Sequence, residues 1–316
     1  GLTVVEIENE STLPVAVAFD RRDVLTERPI ADIPIEGIDV PDGSFVLPLG
    51  HAASLRIGVA HGAQRGGSLP AGLPTARQVA NGWLTVTERA SRFVLPDGEF
   101  GAGLAERVTA LRCELALGVI PTAADDPVGF AIALGELVRM GERPDPWLPE
   151  LVDAVERLGP MSVWSADAAL RAAERVLVAA GEERARRDLA GITERRDRSE
   201  RPSEPVEGLD AIAWLETQFA VSGSLLPDGL PSAGVGQSVE VYGVPTSATG
   251  AVSYAVRWHG ERPAILWEQT GEPTTLTAPA MAPDWSTTEV SGEALWPPPP
   301  GAPPGPEPLI DPSSFT

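Results

Sequence analysis

At 316 residues with 43% hydrophobic side chains, the chain has material for about two or three packed domains, and it contains no run of about 18 apolar residues for a membrane-spanning helix. A formal charge of −21 repels phosphate backbones and anionic lipid, so neither nucleic acid nor membrane is expected as a partner. All 24 basic residues are arginine, which excludes lysine Schiff bases and phosphate-loop lysines, and the lone Cys113 excludes both an intrachain disulfide and a thiolate zinc site.

Residues 1–99 are predicted to form a β-sandwich domain. Apolar or alternating runs at 3–7, 15–19, 44–47 and 54–60 are separated by Gly-, Pro- and Asn-rich turns, the spacing of short strands in a sandwich. Residues 68–82 read as loop or weak helix, and 83–88 (WLTVTE) read as a closing strand. The first residues resemble a strand rather than a secretory leader, and the single cysteine suits a reducing compartment, so a cytoplasmic location is expected. A trimmed start would look the same, which leaves secretion open.

Residues 100–220 change to a helical period. Leu104, Val108, Leu111 and Leu115 fall on one face, which places Cys113 in an amphipathic helix as a small hydrophobe. Asp126 is a candidate N-cap followed by Pro127, and Phe130, Leu134, Leu137 and Val138 line the next apolar face. Further helices are predicted at 147–158, at 167–180 with Ser165 as cap and Gly181 as stop, at 183–192 and at 209–219. The charged, Pro-containing run 194–208 reads as an exposed linker.

Residues 221–296 read as an antiparallel C-terminal β domain. They hold both tyrosines, Tyr242 and Tyr254, and Trp258, Trp267, Trp285 and Trp296. Strand parity puts Tyr254, Val256 and Trp258 on one face, with Ile265 and Trp267 on the next strand, and these are predicted to be core. The opposite face then carries Arg257, His259 and Glu268, with Glu240 and Tyr242 on a preceding strand. Residues 297–316 form a Pro-rich extended tail suited to an aromatic groove on a protein partner.

No motif demands a cofactor, and none is expected. Gly234 and Gly236 do not continue into a dinucleotide fingerprint, no Gly-x-Ser-x-Gly elbow occurs, and His51, His61 and His259 lack metal-ligand spacing. Carboxylates such as Glu261, Glu268 and Asp284 could be paired as a glycosidase acid and base, but only a fixed separation across a sugar ring gives such a pair meaning.

The order of parts resembles a known architecture. A β-sandwich, a helical region entered through WLTVTERASRFVLPD (83–97) and LAERVTALRCEL (104–115), and a C-terminal β domain together resemble glycoside hydrolases with an (α/α) toroid, of the glucoamylase and glycogen-debranching type. Residues 100–220 supply about six helices where a full toroid needs twice as many, so the resemblance implies a shortened relative with a helical bundle or partial toroid. None of its acids matches the family's catalytic pair.

The expectation is therefore an α+β multidomain protein associated with carbohydrate, glycan-binding or accessory rather than catalytic. It would bind an oligosaccharide or polysaccharide through Tyr242, Arg257, His259 and Glu268, with Trp285. The alternatives are a structural or protein–protein interaction subunit, and a glycoside hydrolase using two acidic residues.

Overall fold

A computed structural model of the protein describes residues 1–30, 37, 39–62, 66–98, 102–197, 199–230 and 234–299. The chain is mixed α and β, and it divides into two compact units, Gly1–Gly82 and Trp83–Thr316. No helix among the described residues is long and apolar enough to cross a membrane. Most of the expected tail, residues 300–316, lies outside the described residues.

In the first unit, strand β1 (Leu2–Glu8) pairs antiparallel with β5 (Ser54–Ala60) along its whole length. The short strand β3 (Leu25–Thr26) joins β5 to β6 (Gly67–Ser68), while β2 (Val15–Phe19) pairs with β4 (Phe45–Leu49). Both sheets feed one apolar layer: Phe45, Leu47 and Leu49 alternate inward from β4, Leu55 and Ile57 from β5, and Val24 closes it.

Helix α1 (Ala76–Thr87) takes the helical alternative for residues 76–82 and corrects the strand expected at 83–88. A capping box starts it. The Gln78 N–H donates to Thr75 Oγ1 at 3.2 Å, and the Thr75 N–H donates to Gln78 Oε1 at 2.9 Å. Two donors that a helix start leaves orphaned are satisfied, which outweighs the β-branched residues near its end.

In the second unit, β7 (Arg92–Val94) is the edge strand of a five-stranded antiparallel sheet. Its order is β15 (Ser291–Leu295), β12 (Arg262–Thr270), β11 (Ala251–His259), β10 (Val239–Pro245), β7. A second sheet joins β14 (Ala282–Thr287), β13 (Leu276–Ala278), β9 (Ser224–Leu225) and β8 (Ala220–Val221). The helices are α2 (Ala102–Ala116), α3 (Pro127–Met140), α4 (Leu148–Leu158), α5 (Trp164–Ala180), α6 (Glu183–Glu194) and α7 (Asp210–Phe219). One apolar cluster takes Val108 from α2, Leu137 from α3, Ile212, Trp214 and Leu215 from α7, and Val241, Tyr254, Ile265 and Leu276 from the sheets. The expected boundaries at residues 99 and 220 thus do not separate independent cores. Residues 83–99 go with the second unit because Phe93 of β7 pairs with Val241 of β10.

Local chemistry explains several helix ends. Asp126 caps α3, accepting from the Gly129 N–H at 2.8 Å ahead of Pro127, and Gly141 and Gly181 close α3 and α5 in left-handed conformation. Ser165 is not a cap. It sits in the first turn of α5, behind the buried Trp164, and its hydroxyl bonds Asp210. Helices α3 and α5 cross at Gly135, where an added Cβ would stand 2.8 Å from Ala172 Cβ.

The run 194–208 is not a free linker. Arg196 binds Asp167 at 3.0 Å and reaches the carbonyls of Leu158 and Gly159, Arg201 donates to the Thr217 carbonyl, and Trp214 Nε1 donates to the Pro202 carbonyl at 2.9 Å. Its arginines donate to carbonyls at the ends of α4 and α7, where the helical ladder runs out.

Candidate functional site

The outer face of the five-stranded sheet is where the predicted site residues fall. Tyr242 donates its hydroxyl to Glu240 at 2.5 Å, Arg257 reaches the other oxygen of Glu240 at 3.3 Å, and the Arg92 guanidinium lies 4.0 Å from the Tyr242 ring centroid. The Tyr242 hydrogen bond, followed by Arg257, pulls the Glu240 carboxyl below its ordinary value, and the same bond raises the Tyr242 hydroxyl. Neither group is therefore poised to exchange a proton near neutral pH.

Glu268 lies on the same face, opposite Ser253 and exposed, and His259 sits exposed at the end of β11 opposite Arg262. Trp285 is elsewhere. Its ring meets Trp267 edge-on at 5.4 Å and Trp296 at 5.3 Å, and Trp267 points to the inner side of the sheet. The aromatic richness of this block suggests Trp285 beside the polar face, but packing in the seam between the two sheets places it on the other side. Tyr254, Val256, Ile265 and Trp267 are core as parity predicts, while Trp258 is only half-buried, donating Nε1 to the Gln237 carbonyl at 2.9 Å. Cys113 is half-buried and its thiol is raised by burial, which disfavours a thiolate.

Beneath the sheet lies a charge cluster that the sequence reading did not single out. Arg112 donates Nε to Glu136 at 2.7 Å, Nη1 to the Ser91 carbonyl at 2.7 Å, and Nη2 to Ser91 Oγ and Glu216 at 2.7 and 3.1 Å. Arg139 donates Nη1 to Glu136 and to Glu216, both at 2.6 Å, and Nη2 to the carbonyls of Ala90 and Gly243 at 2.7 and 2.9 Å. Gly243 is in the bulge of β10 at φ 64°, where a Cβ would stand 2.8 Å from the Ala90 carbonyl oxygen. Burial raises the Glu136 carboxyl, but Arg139, Arg112 and Arg175 outweigh it and hold it down at about 2. The sequence signal was available: Glu136 interrupts an otherwise apolar helix face, and a buried carboxylate requires a cation.

Next to this cluster, a cavity of about 290 Å³ opens among α5, α6, α7, the β10–β11 loop and the loop after β12. Arg171 and Arg175 of α5 line it with Arg186 of α6, Glu216 of α7, the hydroxyl-bearing segment 246–249 and Glu272. Arg186 pairs with Glu174 at 3.2 Å, and Glu272 accepts from Thr249 Oγ1 at 3.0 Å. Two polar atoms of the wall, Arg175 Nε and Thr246 Oγ1, are buried and have no hydrogen-bond partner. Burial, and then the neighbouring Arg139, pull the Arg175 guanidinium down to about 10, so it stays charged at neutral pH.

Among the described residues, no group of three His, Cys, Asp or Glu side chains is placed to hold a metal ion. No protein-family model, curated protein or solved structure matches this chain.

Proposed function

We propose that the second unit is a protein-recognition module working through the outer face of its five-stranded sheet. The observation that carries this reading is the exposure there of Val94, Leu266 and Leu295, each 48% accessible. Across the sheet, Val94 faces Glu240, Glu240 faces Ala255, and Ala255 faces Leu266, while Leu295 lies opposite Ala264 one row away. Ala255, Ala264, Leu266 and Leu295 make a small apolar patch on the sheet, separated from Val94 by Glu240 and bounded by Glu293 opposite Leu266. With tyrosine, arginine and carboxylate side chains around it, the patch has the composition of an interface centre with a polar rim.

A photo-crosslinking residue at position 266, introduced in the native cells, is expected to give a discrete protein adduct. The same residue at position 152, on the exposed face of α4, should give none. The adduct should disappear when Leu295→Glu is added. Adducts of equal yield at both positions, or none at 266, refute the reading.

Glycan binding is the second reading, favoured by the pre-ordered set of Arg92, Tyr242, Glu240 and Arg257. Calorimetric titration with neutral oligosaccharides at millimolar concentration should then show heat that Tyr242→Ala removes. A polysaccharide partner that binds the Tyr242→Ala variant equally well counts against this face. A hydrolase acid and base among Glu261, Glu268 and Asp284 has no specific observation in its favour, and Glu240 on the same face is already committed to Tyr242 and Arg257.

A further inference from the structure

The cavity beside the buried charge cluster has an unbalanced wall. The inner set counts three arginines, Arg112, Arg139 and Arg175, against two carboxylates, Glu136 and Glu216. Arg112 and Arg139 are saturated by those carboxylates and by main-chain carbonyls. Arg175 is not. At the rim Arg186 pairs with Glu174, and Glu216 is already taken by Arg112 and Arg139, which leaves Arg175 without a carboxylate of its own among the described residues.

Arg175 as a whole is half-buried, but its Nε is buried without an acceptor, which costs free energy unless something supplies one. Thr246 makes the same argument with a second side chain: it is 7% exposed, lines the cavity, and its Oγ1 has no partner. Both groups can donate to one incoming oxygen acceptor. Ser222, also in the wall, holds the left-handed φ of 48°, which a non-glycine residue adopts only when its surroundings fix it.

The rest of the wall narrows the ligand. A dianion such as phosphate would be held beside the carboxylates of Glu174, Glu216 and Glu272, which repel a second negative charge. A single carboxylate matches both the surplus charge and the planar edge of a guanidinium. Beyond Arg175, the cavity presents the hydroxyls of Ser247 and Thr249 and the Glu272 carboxylate, which are acceptors and donors for ligand hydroxyl groups. We propose that this cavity binds a small hydroxylated monocarboxylate of monosaccharide size, its carboxylate seated on Arg175 and Thr246 and its hydroxyls on Ser247, Thr249 and Glu272.

The test is calorimetric titration of the full chain with sodium D-glucuronate, with D-glucose as the uncharged counterpart and with inorganic phosphate. Glucuronate is expected to bind, with glucose about ten- to a hundredfold weaker because it cannot form the charge-assisted pair, and phosphate also weaker. Arg175→Gln should weaken glucuronate by a similar factor. Thr246→Val, which keeps the shape and removes one donor, should weaken it by about three- to tenfold and keeps the test decisive if the arginine variant does not fold. Arg257→Gln, on the outer sheet face, should leave it unchanged, so loss of binding through the cavity is distinct from loss of the outer face. Absence of glucuronate binding, equal binding of glucose, phosphate binding more tightly than glucuronate, or wild-type affinity in Thr246→Val overturns the proposal.

Discussion

Replacing Arg112 by methionine is expected to lower the free energy of unfolding by about 3–5 kcal/mol, measured by urea denaturation of the second unit's transition. The guanidinium is 1% exposed and so is Glu136, so neither charge can turn to water when its partner is removed. The methionine fills much of the volume, which means the loss is electrostatic: Glu136 keeps only Arg139, and the Ser91 carbonyl loses a donor. A second replacement of Glu136 by methionine should recover part of the loss, since an apolar pair of similar volume leaves no charge stranded. Equal stability of Arg112→Met and wild type would mean that the cluster is hydrated. The pH dependence follows from the same carboxylate. Glu136 is held at about 2 in the folded chain against an ordinary value of 4.5, so its contribution is fully present above about pH 4.5 and is lost as pH falls towards 2. In Arg112→Met the folded-state carboxyl moves up towards its ordinary value, so the stability lost between pH 4.5 and 2 becomes smaller.

Trp214→Ala should cost about 3–5 kcal/mol for a different reason, the cavity left by a ring that is fully buried where helices and sheets meet. It should also free the segment behind it, because Trp214 Nε1 holds the Pro202 carbonyl. Limited digestion with an arginine-specific protease is the readout, and cleavage after Arg196, in the same segment, is expected to accelerate in Trp214→Ala and in Trp214→Phe, the Arg201–Pro202 bond itself being resistant. The phenylalanine fills most of the space and loses only the hydrogen bond, at about 1 kcal/mol. Unchanged cleavage in both variants would show that Arg196 and the Arg201 contact to Thr217 hold the segment alone.

Much of the second unit could be read from the sequence because its strands obey a period of two. Val239, Val241, Val252, Tyr254, Val256, Ile265 and Trp267 all face inward, and the opposite parity delivers Tyr242, Arg257 and Glu268 to one surface. Asp126 with Pro127, and Gly181, marked helix ends by local chemistry alone. What failed was non-local or was outweighed by a neighbour. The β-branched residues of 83–88 suggested a strand, but the capping box at Thr75 and Gln78 had already set the helix that contains most of them. The linker reading of 194–208 came from composition, which cannot show that Arg196 and Arg201 find carbonyls at the ends of two helices, α4 and α7. The cavity was hidden for the same reason: Arg175, Thr246 and Glu272 are far apart in the chain, and only packing of α5 against the sheet loops brings them to one wall.

The three indoles of Trp267, Trp285 and Trp296 form an edge-to-face series with centroid spacings of 5.4 and 5.3 Å, drawn from β12, β14 and the residue just past β15. Chromophores this close, held in a fixed asymmetric arrangement, couple their electronic transitions, so the seam between the two sheets carries its own optical signature. A near-ultraviolet circular dichroism band from this series reports whether the last strand is seated, and it should vanish when packing loosens even if the backbone signal persists. The molecule thereby contains a spectroscopic gauge of its own closure, readable without an added label.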